Sequence, residues 1–119
     1  MQGYESIIIL DPGLTEENQA ALLTKAKDIF KGQGGSVVHE TQWGRRKLAY
    51  PVKKMDYGHF YLLYLDHTPE ALKALENTLR LDEGVLKWQT VSVESVDEEF
   101  TKFEHLKTEG SMAQTLSDR

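Results

Sequence analysis

Five positive charges lie within ten residues, between Arg45 and Lys54, in the segment that spans residues 43–54. No Asp or Glu interrupts this segment, and Gly, Trp, Tyr and Pro residues stand between its charges. Arginine and lysine bind the oxygens of phosphate groups, and flat aromatic rings stack on exposed nucleobases. These residue types in one short stretch predict a surface that binds a polyanion.

Six side chains of this segment are candidates for contact with RNA. Arginine matches phosphate oxygens with two N–H groups, lysine acts as a mobile point charge, and tyrosine offers a ring for stacking. The alternative is a solvated hairpin whose charges only keep a loop soluble. The candidates are Arg45, Arg46, Lys47, Tyr50, Lys53 and Lys54.

The whole chain of 119 residues has a formal net charge of −5, which taken alone argues against a nucleic-acid partner. Charges farther apart than about 8–10 Å are screened at physiological salt, so the local charge matters more. The absence of cysteine excludes disulfides and thiolate zinc sites and fits a cytoplasmic protein. We also expect no secretion signal and no membrane span, because no apolar run is long enough for either.

Apolar spacing and turn residues divide the chain into alternating strands and helices. Strands are predicted over residues 4–10, 36–43 and 85–93, with another that starts at 57 or 58 and ends at 66. One helix is predicted over residues 15–31 with Thr15 as its N-cap, and a second opens at residues 68–70 and ends before Gly84. The order is therefore strand, helix, strand, strand, helix, strand.

This order predicts an α+β domain over residues 1–94 with the ferredoxin-like βαββαβ arrangement. Two split βαβ units with right-handed crossovers form a four-stranded antiparallel sheet with two helices on one face. The basic segment then lies in a long hairpin between the second and third strands. We call residues 43–58 the arm, and we expect its distal part to project from the body.

The third predicted strand is apolar on both faces. Residues of one parity would pack under the two helices, and the other parity would form an open apolar face suited to a protein partner. The alternative is that helices cover that side, which would make these residues core. The candidates for partner contact are Phe60, Leu62 and Tyr64.

Residues 95–119 form a C-terminal tail of different composition. Ser95 and Glu98 have capping-box spacing, and Phe100, Phe103 and Leu106 recur at helical intervals. These features predict a short amphipathic helix over about residues 96–107, followed by a flexible end from residue 110. The helix could pack on the domain itself or on a partner, and the sequence favours neither.

No catalytic or metal site is predicted, and no cofactor or small-molecule substrate is expected. His39 and His59 could face each other across the hairpin, but no third ligand stands at metal-binding spacing. The acidic pairs are expected at helix ends, where the helix dipole accounts for them. No nucleophile is paired with a base.

Several of these residues carry a resemblance to a known family. The run from Trp43 to Lys54, followed by Gly58-His59-Phe60, resembles the signature of bacterial small-subunit ribosomal protein six. The chain's first five residues and the strand that ends at Asp11-Pro12 are similar to that family's opening. The resemblance covers roughly residues 1–94, and Gln2 departs from the basic residue usual at that position.

The resemblance implies a non-enzymatic protein of the small ribosomal subunit that binds small-subunit ribosomal RNA together with small-subunit ribosomal protein eighteen. It implies RNA contacts through the arm and partner contacts on the sheet face away from the helices. The residues implied for RNA are Arg45, Arg46, Lys47, Tyr50 and Lys54. The alternative function, from another class, is a ferredoxin-like regulatory module that binds a metabolite as a homodimer.

Overall fold

The computed structural model describes residues 1–109, which form four strands and three helices. The strands are β1 (Gly3–Leu10), β2 (Val37–Val52), β3 (Met55–Asp66) and β4 (Val85–Val93). The helices are α1 (Glu16–Gly32), α2 (Pro69–Leu81) and α3 (Val96–Glu109). The expected flexible end from residue 110 lies outside the described residues.

The strands form one antiparallel sheet in the order β2-β3-β1-β4. The two central strands are therefore β1 and β3, and β2 and β4 are the edges. This order, with α1 and α2 as the two crossovers, confirms the predicted ferredoxin-like α+β fold.

Helix α1 begins as its sequence predicts. Thr15 has extended backbone geometry, and its hydroxyl oxygen accepts a hydrogen bond from the Asn18 backbone N–H at 3.1 Å. Helix α2 begins differently, with Pro69 at its first turn and no side-chain cap from Thr68. The Thr68 hydroxyl instead donates to Asp66 Oδ1 at 2.8 Å.

Both faces of the sheet are buried, each by its own apolar cluster. The first cluster lies beneath α1 and α2 and includes Ile8, Phe30, Leu63 and Leu75. The second lies on the opposite face and includes Ile9, Phe60, Leu62, Tyr64 and Phe103. The alternation along β3 therefore sends successive side chains into two separate cores, as period-two geometry requires.

The hairpin of β2 and β3 differs from its prediction. Both strands continue through the basic segment, and Val52 pairs with Met55 across a two-residue turn, Lys53-Lys54. The third strand therefore starts at Met55, earlier than the predicted start at residue 57 or 58. Both turn lysines have positive φ, 50° and 68°, as a tight two-residue hairpin turn needs. A register shift between Lys47 and Val52 leaves Pro51 outside the regular ladder.

Candidate nucleic-acid interface

The arm folds back over the second face of the sheet. Leu48 is buried, and Val52 and Met55 pack against the cluster that contains Ile9 and Leu86. The prediction of a projecting arm is therefore wrong. Apolar side chains on the arm's inner surface remove more apolar area from water when they lie on the sheet than when they point into solvent.

Gly58 allows this close approach of the arm to β1. A Cβ atom at this position would lie only 2.4 Å from Ile9 Cγ2. Gly58 is itself buried, and it pairs with Arg46 across the hairpin. The absence of a side chain at residue 58 lets the third strand carry the arm directly across Ile9.

The tip of the arm is attached to β4 through two lysines. Lys53 Nζ donates a hydrogen bond to the Val85 carbonyl oxygen at 3.0 Å. Lys87 Nζ donates to the Tyr50 hydroxyl at 2.7 Å and lies 5.0 Å from the centroid of the Tyr50 ring. These contacts join the two opposite edges of the sheet, because Tyr50 belongs to β2 and Lys87 to β4.

The two arginines of the arm face opposite ways and each lies over a ring. The Arg45 guanidinium lies 4.3 Å from the centroid of Tyr57, and both residues are exposed. The Arg46 guanidinium lies 5.1 Å from the centroid of Trp43, on the side of the second cluster. Arg46 is only half-exposed, and its Nε is buried without a hydrogen-bond partner among the described residues.

The structure thus divides the predicted RNA-binding residues into three groups. Arg45 and Lys47 are exposed together on one side of the arm, and Arg46 packs on the other side. Tyr50, Lys53 and Lys54 are exposed at the tip, where the Tyr50 side chain keeps 50% of its area open to solvent. Sequence reasoning missed Lys87, because nothing in the local pattern of β4 indicates that the arm reaches it.

The proposed partner residues lie on the expected face of the sheet, but that face is covered. Phe60, Leu62 and Tyr64 do face away from α1 and α2, but none of their surface is exposed. The prediction of an open sheet face is wrong for this chain, because α3 covers it. An apolar sheet face and an amphipathic helix on the same chain bury each other's apolar surface, which favours their contact.

Several contacts hold the beginning of helix α3. Val96 is fully buried, and its N–H donates to the Met1 carbonyl oxygen at 2.8 Å. His39 Nε2 lies 2.6 Å from Asp97 Oδ1, and the His39 ring stacks on Phe100 with centroids 4.3 Å apart. The two tail alternatives are thereby resolved for the isolated chain: the helix packs on its own domain.

Further along α3, Phe103 contacts the base of the arm. Its ring meets the Trp43 ring edge-on, with centroids 5.3 Å apart. The Trp43 indole N–H is buried there and has no hydrogen-bond partner among the described residues. Leaving a buried donor unpaired costs about 1–3 kcal/mol, so this covered arrangement carries a local penalty. Leu106, one turn beyond, is 38% exposed.

The histidines do not assemble a site. His39 pairs with Tyr64 and His59 with Arg45, so the expected juxtaposition of His39 and His59 is wrong. Within residues 1–109, no group of three or more His, Cys, Asp or Glu side chains is placed to hold a metal ion. No helix in the same range is long and apolar enough to cross a membrane.

Comparison with known proteins identifies relatives of this chain. The family model described as ribosomal protein S6 matches residues 3–92. The small ribosomal subunit protein bS6 of Clostridium novyi is 38% identical over 94 residues, which cover 79% of this chain and 99% of that protein. The bS6 of Caldanaerobacter subterraneus is 34% identical over 88 residues, covering 74% of this chain and 93% of the relative.

A solved structure also matches this chain. The crystal structure of 30S ribosomal protein S6 from Thermotoga maritima superimposes with a TM-score of 0.75 at 27% sequence identity. The match covers 87% of this chain and 99% of that one. The regulatory metabolite module that the sequence left as an alternative has no support in these matches.

Proposed function

The chain belongs to the ribosomal protein S6 family, and on that premise we propose that it binds small-subunit ribosomal RNA through the arm, together with small-subunit ribosomal protein eighteen. Members of this family are structural, non-enzymatic constituents of the small ribosomal subunit, a cytoplasmic particle. The RNA contacts and the protein partner are the parts of this assignment that experiments have to test.

The observation that carries the RNA proposal is that cationic side chains of the arm are exposed to solvent. Four cationic groups remain exposed on one hairpin whose backbone is held by strand pairing and by contacts with β4: Arg45, Lys47, Lys53 and Lys54. A surface ordered before binding loses less conformational entropy when RNA binds. The exposed Tyr50 ring adds a face on which an unstacked base can lie.

Arg46 has a smaller share in the proposed phosphate binding than the other arm cations. Its guanidinium lies over Trp43, so it supports the base of the arm as well as adding charge. We therefore expect Arg45 and Lys47 to contribute more to phosphate binding than Arg46. Truncation of Arg46 would act partly through lost packing on the indole ring.

A salt titration tests the RNA proposal. The variant Arg45→Gln, Arg46→Gln, Lys47→Gln is compared with Lys25→Gln, Lys31→Gln, Lys73→Gln, which removes equal charge from exposed positions on or next to α1 and α2. Each lost phosphate contact lowers the slope of log affinity against log salt by about 0.7–0.9. The arm variant should lose affinity and slope for a small-subunit ribosomal RNA fragment, and the control should keep most of both. Equal behaviour of the two variants contradicts the proposal.

For the protein partner we propose that it occupies the sheet face of Phe60, Leu62 and Tyr64 and that α3 gives way. Two features support this. The Trp43 indole N–H is buried without a partner among the described residues, and the Trp43 ring contacts Phe103 of α3, so departure of the helix would give this N–H access to water. Helix α3 follows β4 after Glu94 and Ser95 and belongs to no strand, so its displacement would leave the strand pairing of the sheet in place.

Hydrogen exchange tests this competition. Backbone amides at residues 97–106 are compared in the free chain and in the presence of small-subunit ribosomal protein eighteen. Faster exchange of these amides in the complex is expected, with β1 and β3 unchanged or slower. If a complex forms and the α3 amides exchange more slowly, the partner lies over α3 and displacement is wrong. If no complex forms with or without RNA, the partnership itself is wrong.

A further inference from the structure

Two buried hydrogen-bond donors lie next to each other at the base of the arm. The Trp43 indole N–H and the Arg46 Nε–H are both buried without a hydrogen-bond partner among the described residues. Trp43 is only 5% exposed, and the Arg46 guanidinium lies 5.1 Å from the centroid of its ring. Trp43 also meets Phe60 and Phe103 edge-on. One positive charge and two N–H groups in need of an acceptor therefore lie beside an apolar cluster.

We propose that Trp43 and Arg46 bind a carboxylate, which an Asp or Glu side chain of the protein partner brings to the sheet face that α3 covers. This inference rests on the proposed docking of a protein at that face and specifies what the docking segment has to carry. Phe103 of α3 contacts the Trp43 ring in the free chain, so the carboxylate reaches the indole N–H once the helix gives way.

The chemistry of the two donors requires an acceptor, and their charge selects an anion. Indole and guanidinium N–H groups donate hydrogen bonds and cannot accept them. A carboxylate has two oxygens, so it can accept from both groups at once, and its charge complements the guanidinium. A backbone carbonyl would leave the charge of Arg46 without a counter-charge in a contact that excludes water, which is costly.

The position of the pair favours a protein partner over RNA. Arg45 and Lys47 are exposed on one side of the arm, whereas Arg46 packs on the other side, next to the aromatic rings of the second cluster. Tryptophan and arginine are among the side chains that most often dominate binding between proteins. An RNA phosphate would accept from the same donors, so the two ligands are distinguished by which affinity falls when Arg46 is changed.

The chain supplies its own control, a second arginine over a tryptophan on the opposite face of the sheet. The Arg80 guanidinium lies 5.9 Å from the centroid of Trp88, whose indole N–H donates to Glu76 Oε2 at 3.3 Å. Binding of the full chain to small-subunit ribosomal protein eighteen is measured without RNA. Arg46→Gln and Trp43→Phe should each weaken this binding about 10-fold or more. Arg80→Gln and Trp88→Phe should stay within about twofold of the parent.

Three outcomes of this comparison count against the proposal. If Arg46→Gln loses affinity for an RNA fragment and keeps its affinity for the protein partner, the pair binds phosphate; this inference is then wrong, and docking at the sheet face stands. Equal losses in the Arg46 and Arg80 variants also overturn the inference, because the effect is then not specific to this pair. If the unaltered chain forms no complex, the proposed partnership fails and the carboxylate site fails with it.

Carbodiimide coupling identifies the carboxylate directly. The reagent activates a carboxylate, and the amine that Arg46→Lys introduces displaces the activated group to form an amide with a residue in contact. Mass spectrometry should locate this bond at one Asp or Glu of the partner, and Arg80→Lys should give none. Changing that acid to its amide should weaken binding as much as Arg46→Gln does, and both changes together should cost no more than either alone. A complex that forms without any such bond contradicts the proposal.

The unaltered chain gives an answer that does not depend on how variants fold. The indole N–H resonances of Trp43 and Trp88 are followed by NMR as the partner is added. A hydrogen bond to a carboxylate should move the Trp43 N–H resonance downfield and protect this N–H from exchange with water, while the Trp88 resonance stays in place. A Trp43 N–H that exchanges faster in the complex has no acceptor there, and that result overturns the proposal.

Discussion

The Phe103 ring of α3 meets the Trp43 ring of the arm edge-on, at an interplanar angle of 83°. Through this contact the C-terminal helix supports the base of the hairpin, and Trp43 in turn meets Phe60 of β3 at 5.7 Å, also edge-on. Aromatic pairs of this geometry contribute about 0.5–1.5 kcal/mol beyond area burial. Helix α3, the arm and the second face of the sheet therefore pack against one another.

The first prediction concerns how α3 is attached. Phe30→Ala, in the core under α1 and α2, should lower the free energy of unfolding by about 3–5 kcal/mol, as a buried Phe truncation does. Phe103→Ala should cost less, below about 3 kcal/mol, if α3 detaches as a unit, because the loss is then limited to the docking free energy of the helix. Urea unfolding measures both.

Tryptophan emission supplies a second readout for this pair. In a Trp88→Phe background, Trp43 is the remaining tryptophan, since the chain has two. Phe103→Ala should shift the Trp43 emission to longer wavelength, because water reaches the indole. Phe30→Ala should leave the Trp43 emission unchanged while the protein stays folded. A Phe103→Ala variant with a cost of about 5 kcal/mol and unchanged emission would show that α3 is inseparable from the domain.

The second prediction concerns Gly58. Gly58→Ala places a Cβ within 2.4 Å of Ile9 Cγ2, and a β-branched side chain cannot turn away cheaply. The variant should lose about 1–3 kcal/mol of stability, as overpacking does. Gly32→Ala is the control, because a Cβ there meets nothing within 4 Å. Its effect should be neutral or a gain of up to about 1 kcal/mol. Equal stability of the two variants in urea contradicts the close packing of the arm.

The third prediction is that removal of a charged side chain at the arm tip raises stability but weakens RNA binding. Lys54 has φ of 68°, a left-handed conformation that costs a residue with a side chain about 1 kcal/mol and glycine almost nothing. Lys54→Gly should therefore stabilise the chain by about 1 kcal/mol and weaken RNA binding. Lys73→Gly removes the same charge inside α2 and should destabilise by about 1 kcal/mol. A destabilised Lys54→Gly would mean that the lysine side chain holds the turn.

The fourth prediction is a loss of stability at alkaline pH. Burial, and secondarily the Glu16 carboxylate, raise the pKa of Tyr61 above its usual 10.0. Burial also raises the pKa of Tyr4, with smaller contributions from Glu70 and Glu76. The unfolded chain then releases these protons at lower pH than the native chain. Their stabilising effect is complete below about pH 10 and is lost as pH rises through the folded-state pKa.

Unfolding free energies between pH 8 and pH 11 test this. Tyr61→Phe should be less stable at pH 8, because the Tyr61 hydroxyl donates to Gln19 Oε1 at 2.6 Å. The free energy of unfolding of Tyr61→Phe should nevertheless fall less steeply above pH 10 than that of the parent. Tyr57→Phe, with a ring 39% exposed, is the control. An identical alkaline decline in the parent and Tyr61→Phe would exclude this tyrosine as a cause.

Much of the fold could be predicted because its signals are local. The Thr15 cap, the proline at the start of α2 and the apolar alternation along β3 act through residues a few positions apart. Once the order of the strands and helices is known, the right-handedness of βαβ crossovers leaves few possible topologies. The opposite-facing parities of Leu63 and Leu62 followed from period-two geometry alone, and both are buried as that geometry requires.

The folding of the arm onto the sheet and the covering of the second sheet face by α3 both depend on contacts between residues that are distant in sequence. Nothing near Gly58 in the chain indicates that Ile9 needs the space of its missing side chain. The spacing of Phe100 and Phe103 predicts an amphipathic helix but is silent on whether its apolar side meets this sheet or another protein. Lys87 joined the candidate interface only because the folded arm brings Tyr50 across from the opposite edge of the sheet. Such pairings arise from the shape of the assembled core, which determines what lies within reach of each side chain.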